Sequence, residues 1–174
     1  MRLFIAIPLP PDIRRAAECA QTALISAGAE GRFVPSKNFH LTLHFIGESG
    51  DLSGAATAMR DAVRDIRPFV LRLQGYGSFG GKNGRTAFVS VGGDLDELNS
   101  LYESLESALW EQGFTQNRGR LTPHITLGRN VTKEDGFLLP HQTAAFTADS
   151  IVLYESRPNH GQMQYLVVHK EKLS

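Results

Sequence analysis

The chain of 174 residues has one cysteine, Cys19, and no excess of either charge, with 18 Lys+Arg against 18 Asp+Glu. A lone cysteine can make neither an internal disulfide nor a cysteine-based zinc cluster, so a reducing, cytoplasmic setting is expected. Balanced charge excludes a bulk polybasic nucleic-acid binder and an acidic-tail protein, but leaves room for one small basic pocket. No apolar run approaches the ~18 residues of a membrane span. The opening run from Leu3 is stopped at Pro8, which is short for a signal peptide. Low-complexity stretches, Pro/Ser-rich linkers and coiled-coil heptads are absent too, which points to a monomer with no obligate protein partner and no membrane association. Hydrophobic residues make up 41% of the chain. At this length roughly two-thirds of the unfolded surface can be buried, so the fold needs no metal or disulfide staple.

What is present is a periodicity that switches between 2 and 3.6. Leu3 to Ile7 reads as a buried strand, and Asp12 to Gly28 as a helix with Ile13, Ala16, Ala17, Ala20 and Leu24 on its apolar face. Asn38 to Gly47 is a strand and Asp51 to Ile66 a second helix. Phe69 to Leu73 and Thr86 to Val91 are strands flanking a glycine-rich loop, Gly75 to Arg85, with a basic tip from Gly80. Asp94, with Glu97 three residues on, predicts a capping box for a third helix ending near Gly113. Pro123 to Arg129, Phe146 to Tyr154 and Gln164 to Val168 are the remaining strands. Alternating polar and apolar positions suit sheets with one open face, and the class expected is α+β.

Two segments carry chemistry: Phe39-His40-Leu41-Thr42-Leu43-His44-Phe45 and Pro123-His124-Ile125-Thr126-Leu127-Gly128-Arg129. Strand alternation sends Phe39, Leu41, Leu43 and Phe45 to the core and His40, Thr42 and His44 to the other face. In the second segment it buries Ile125 and Leu127 and presents His124 and Thr126. Each strand then offers an imidazole with a hydroxyl about 6.5–7 Å away along the same face. One His-x-Thr is a weak signal, since six histidines give fewer than one such triplet by chance. A third, His141-Gln142-Thr143, lies in a polar stretch after Pro140 and reads as a surface loop. The longer His-apolar-Thr-Leu pattern, repeated on two periodic strands, is what chance rarely gives. His40 and His44 have the i,i+4 spacing of a helical metal pair, but on a strand and without the Glu of His-Glu-x-x-His, so no metal site is expected.

These residues resemble the two-histidine (2H) phosphoesterase superfamily, and within it the RNA 2′,3′-cyclic phosphodiesterases, once described as 2′-5′ RNA ligases. The segments Arg2 to Ile7, Asn38 to Glu48, Leu121 to Arg129, and Leu153 to Ser156 with Tyr165 carry the likeness, which spans essentially the whole chain. The resemblance implies a single domain over residues 1–174, built of two pseudo-symmetric lobes. Each lobe would be an antiparallel sheet with helices on its outer side, and the two would face each other across a central cleft. The family commonly has Lys where this chain has His44.

The resemblance also implies the site. His124 would be the general base on water and His40 the general acid on the leaving 3′ oxygen, giving a 2′-phosphate. Thr42, Thr126 and Arg129 would hold the phosphate, His44 would sit near it, and Phe4 and Tyr165 are candidates for stacking on a base. Strict alternation would turn Arg129 inward, so a kink at Gly128 is expected. The residues themselves do not say which histidine is acid and which is base. Two imidazoles, two hydroxyls and a guanidinium suffice for this hydrolysis without metal or organic cofactor. The substrates would be RNA 3′ ends or nucleotides carrying a 2′,3′-cyclic phosphate. Other readings are cleavage or joining of 2′-5′ linkages, and a non-catalytic RNA-end binder. No RRM aromatic signature supports the binder. A metal-dependent phosphatase would need acidic residues clustered near the motifs, and there are none.

Overall fold

A computed structural model describes all of residues 1–174. Nine strands and three helices follow one another as β1 (Arg2–Pro8), α1 (Pro11–Ser26), β2 (Glu30–Phe33), β3 (His40–Glu48), α2 (Leu52–Val63), β4 (Phe69–Gly81), β5 (Gly84–Gly93), α3 (Leu95–Glu111), β6 (His124–Thr132), β7 (Ala145–Ala148), β8 (Ser150–Asn159) and β9 (Gln162–Lys172). The strands lie in the order β7-β4-β5-β6-β3-β1-β8-β9, with β2 also on β6, and every pairing is antiparallel. The expected α+β class with antiparallel sheets is what the chain adopts.

Two groups of strands meet at a narrow seam, where β3 and β6 pair only at Leu41 opposite Ile125. Helices and inward side chains form one apolar core that includes Ile5, Leu41, Leu71, Val89 and Ile125 from the strands and Leu24, Met59 and Leu101 from the helices. The other face is left open and concave. Only Asp149 separates β7, on one outer edge, from β8, near the other. One residue spans less than about 4 Å, so the sheet must curl until its two ends approach. The single strand expected over Phe146 to Tyr154 is therefore two, because its halves pair with β4 and with β1.

Two further expectations change. Most of the presumed glycine-rich loop is strand, with only Lys82 and Asn83 between β4 and β5. Gly77 there makes space for a ring, since a Cβ on it would lie 2.5 Å from Phe88. Arg85, at that basic tip, is committed to Glu134 at 3.2 Å and to Ser78 at 2.7 Å. Asp94 precedes α3 but its carboxylate accepts from Val70 N at 2.9 Å, extending the β4–β5 pairing instead of capping. Asp51 does cap α2, accepting from Gly54 N at 2.8 Å.

The most consequential departure is in β3. Its register against β1 steps from Ala6–Thr42 to Ile5–His44, so Leu43 is an extra residue and the alternation inverts after it. Leu43 and His44 are both buried, and Phe45, expected in the core, is 62% exposed on the cleft side. His44 is thus no phosphate neighbour: it is 2% exposed, and its Nδ1 lies 2.5 Å from Glu106 Oε1 of α3. The other oxygen of Glu106 accepts from Asn117 N at 2.7 Å. Glu106→Ala leaves the buried His44 imidazole without its partner and removes the acceptor of Asn117 N at the core's edge. Urea unfolding of this variant is expected to show a loss of about 3 kcal/mol; an unchanged midpoint would mean the pair does not hold the bulge.

Candidate active site

The seam sets the geometry of the open face. With Leu41 opposite Ile125 in antiparallel register, His40 falls level with Thr126 and Thr42 level with His124. The two imidazoles therefore occupy diagonal corners of a four-residue array, with a hydroxyl at each remaining corner. All four line one cavity of 210 Å³, together with Arg129 and Tyr165. The larger neighbouring pocket, 530 Å³, shares His40, Phe45, Arg129 and Tyr165 and adds Arg2, Ser156 and Met163. No carboxylate lines either space, so both favour an anion.

Each imidazole is fixed from its own strand. Nδ1 of His40 donates to the Asn38 carbonyl at 2.7 Å, and Nδ1 of His124 donates to the Thr122 carbonyl at 2.6 Å. A carbonyl can only accept, so the hydrogen sits on Nδ1 and Nε2 keeps its lone pair. The Thr42 hydroxyl donates to His40 Nε2 at 2.8 Å. Asn38 is itself buried and anchored, its amide donating to Met163 O at 2.8 Å.

Aromatic rings enclose both histidines. Phe4 and Tyr165 lie 4.8 and 5.4 Å from His40, and Phe79 and Phe88 each lie 5.1 Å from His124. Burial disfavours the charged imidazolium and lowers the His40 pKa from 6.5 to about 4. The Asn38 carbonyl opposes that fall, while the charges of Arg129 and His124 add to it. The His124 pKa is lowered for the same first reason, with Thr122 opposing and Arg129 adding.

The β6 strand repeats the β3 irregularity. Against β5 its register steps from Phe88–Thr126 to Ala87–Gly128, leaving Leu127 as the extra residue. The kink expected at Gly128 thus begins one residue earlier, and it brings Arg129 to the cleft. Phe45 and Arg129 occupy the same place in the two motifs, one apolar and one cationic. Phe4 is 4% exposed, stacked on Tyr154 at 5.2 Å, so it supports His40 and offers a base little surface. Tyr165 is half-buried and reaches both cavities. His141 and Thr143 line a different cavity, one sharing no residue with the paired-histidine site. Phe45 and Phe79 were not expected here. A bulge has no sequence signature of its own, and Phe79 falls in a stretch whose glycines give it the composition of a loop.

A profile of the 2′-5′ RNA ligase superfamily matches residues 10–159. The chain belongs to that superfamily, the 2H phosphoesterases. It is 33% identical over 131 residues to the RNA 2′,3′-cyclic phosphodiesterase of Thermotoga maritima, covering 74% of this chain and 70% of that one. Against the Escherichia coli protein of the same name it is 28% identical over 165 residues, 94% and 92% of the two chains. Among solved structures, one from Thermus thermophilus superposes with a TM-score of 0.82 at 27% identity, covering 99% of this chain and 98% of that one. Escherichia coli LigT complexed with 3′-AMP gives 0.80 at 26%, with the same coverage. No helix of this chain is long and apolar enough to cross a membrane.

Because burial holds His40 neutral, its ring in the free protein is expected to titrate near pH 4 in a histidine NMR titration. A bound phosphate anion is expected to move that value upward, since it favours the imidazolium. Titration near 6.5 without ligand would contradict the enclosed geometry.

Proposed function

We propose that this chain hydrolyses 2′,3′-cyclic phosphates at RNA 3′ ends or on nucleotides to 2′-phosphates, by paired-histidine acid–base catalysis without a metal. The observation that carries this reading is the diagonal placement of two His-x-Thr pairs in one carboxylate-free cavity. The name borne by the curated relatives supports it.

The cyclic diester carries one negative charge, and its opening adds one water. His124 Nε2 takes a proton from the water as its oxygen bonds to phosphorus. The bond from phosphorus to the ribose 3′ oxygen breaks, and His40 delivers a proton to that oxygen. The Nδ1–H bonds to Asn38 and Thr122 aim both Nε2 atoms at the cleft, and His40 Nε2 gives up its Thr42 hydroxyl to the substrate for the transfer. Thr42 and Thr126 donate to the non-bridging oxygens, and the Arg129 guanidinium offsets the charge that gathers there. Both rings are neutral near pH 7 in the free protein, so one acquires its proton as the anion docks. The burial that depresses the His40 pKa also makes its imidazolium the stronger acid once formed. The assignment of base and acid follows the family resemblance. Residues 1–174 act as one domain of two pseudo-symmetric lobes, and the single cysteine suits a cytoplasmic location.

Purified protein incubated with a 2′,3′-cyclic mononucleotide in excess EDTA is expected to yield the 2′-monophosphate. Alanine at His40 or His124 is expected to lower the rate by about two or more orders of magnitude. Loss of turnover in EDTA would favour a metal mechanism, and wild-type turnover in either variant would remove that histidine from the chemistry.

A further inference from the structure

Arg129 reaches the cleft only because β6 bulges at Leu127, and the bulge is gripped from behind the sheet. Gln21 is the one polar side chain on the buried stripe of α1, among Ile13, Ala17, Ala20 and Leu24. Its amide nitrogen lies 2.7 Å from Val34 O and 2.9 Å from Leu127 O. Both partners are carbonyls, which fixes the nitrogen's position and uses both of its hydrogens. Leu127 O also accepts from Val34 N at 2.8 Å, so the carbonyl of the extra residue is held by two donors on the side of β2 and α1. The next residue, Gly128, is packed so closely that a Cβ would lie 2.9 Å from the Phe33 ring and 3.0 Å from Val131. The backbone is thereby constrained on both sides of the inversion that sends the following side chain into the cavity.

We propose that Gln21 is a positioning residue, which clamps the Leu127 bulge from α1 and so aims the Arg129 guanidinium at the phosphate. This rests on the cyclic phosphodiesterase reading. A polar residue in an apolar stripe could equally serve only to dock α1 on β6, and the two roles differ in one respect. A clamp that works through Arg129 has no effect on turnover once Arg129 is gone, whereas a docking contact keeps its effect.

The test is a double-mutant cycle of Gln21→Met and Arg129→Ala, read as kcat/KM on a 2′,3′-cyclic mononucleotide. Methionine keeps the volume and helix propensity while removing both hydrogen bonds. Gln21→Met alone is expected to lose on the order of tenfold, since small misplacements of a binding group cost rate steeply. In the Arg129→Ala background the same change is expected to cost less than about twofold. No loss in the single variant, or equal losses in both backgrounds, would overturn the proposal. If Gln21→Met does not fold, Gln21→Asn, whose amide is withdrawn by one methylene, takes its place in the cycle. If the wild type fails to turn over, the phosphodiesterase reading falls. The cycle is then read as calorimetric affinity for a nucleoside 2′-monophosphate, with the same coupling expected and additive losses overturning the clamp.

Discussion

A single backbone pairing, Leu41 opposite Ile125, joins the two groups of strands and fixes where the two motifs meet. Because pairing is antiparallel, it places equivalent residues diagonally and never side by side. Two imidazoles on adjacent corners would crowd one flank of a phosphate. On diagonal corners they can flank one, and the intervening corners are filled by hydroxyl donors. Both paired residues are fully buried, so the apolar core on one face determines the spacing of the chemistry on the other.

The same core supplies the irregularities the site needs. Each motif strand carries an extra residue, Leu43 or Leu127, directly after its threonine, and a second register step further along. The inversion turns His44 and Gly128 inward and sends Phe45 and Arg129 to the cleft. Polar side chains from the helices meet both bulges from behind, Glu106 of α3 at His44 and Gln21 of α1 at Leu127. Beyond the bulges the two motifs differ: one supplies a cation and the other an exposed ring, and both residues line both cavities. Burial among aromatic rings lowers the pKa of both imidazoles, so on the proposed reading the charge for acid catalysis arrives with the anion.

Much of this was legible in the sequence. The strand periods placed His40, Thr42, His124 and Thr126 on one face, and a duplicated pattern is stronger than either half alone. The α+β class followed from half-apolar strands. What was not legible came from pairing partners rather than from composition. A bulge is defined by the neighbouring strand, so alternation alone puts His44 and Phe45 on each other's faces. The break at Asp149 depends on which strand each side joins, and β2, with the sequence Glu-Gly-Arg-Phe, is too short and polar to show a period. Gly77 has the composition of a loop, because its role is to accommodate the Phe88 ring, a contact between strands. Asp94 had the sequence of a cap and a better partner in Val70 N.

The most direct measurement is a crystal structure with a nucleoside 2′-monophosphate bound. Nε2 of both His40 and His124 should lie within hydrogen-bonding distance of oxygens on the one phosphorus, with Thr42, Thr126 and Arg129 on the remaining oxygens. A phosphate held by one imidazole alone, or seated away from the four-residue array, would contradict the account.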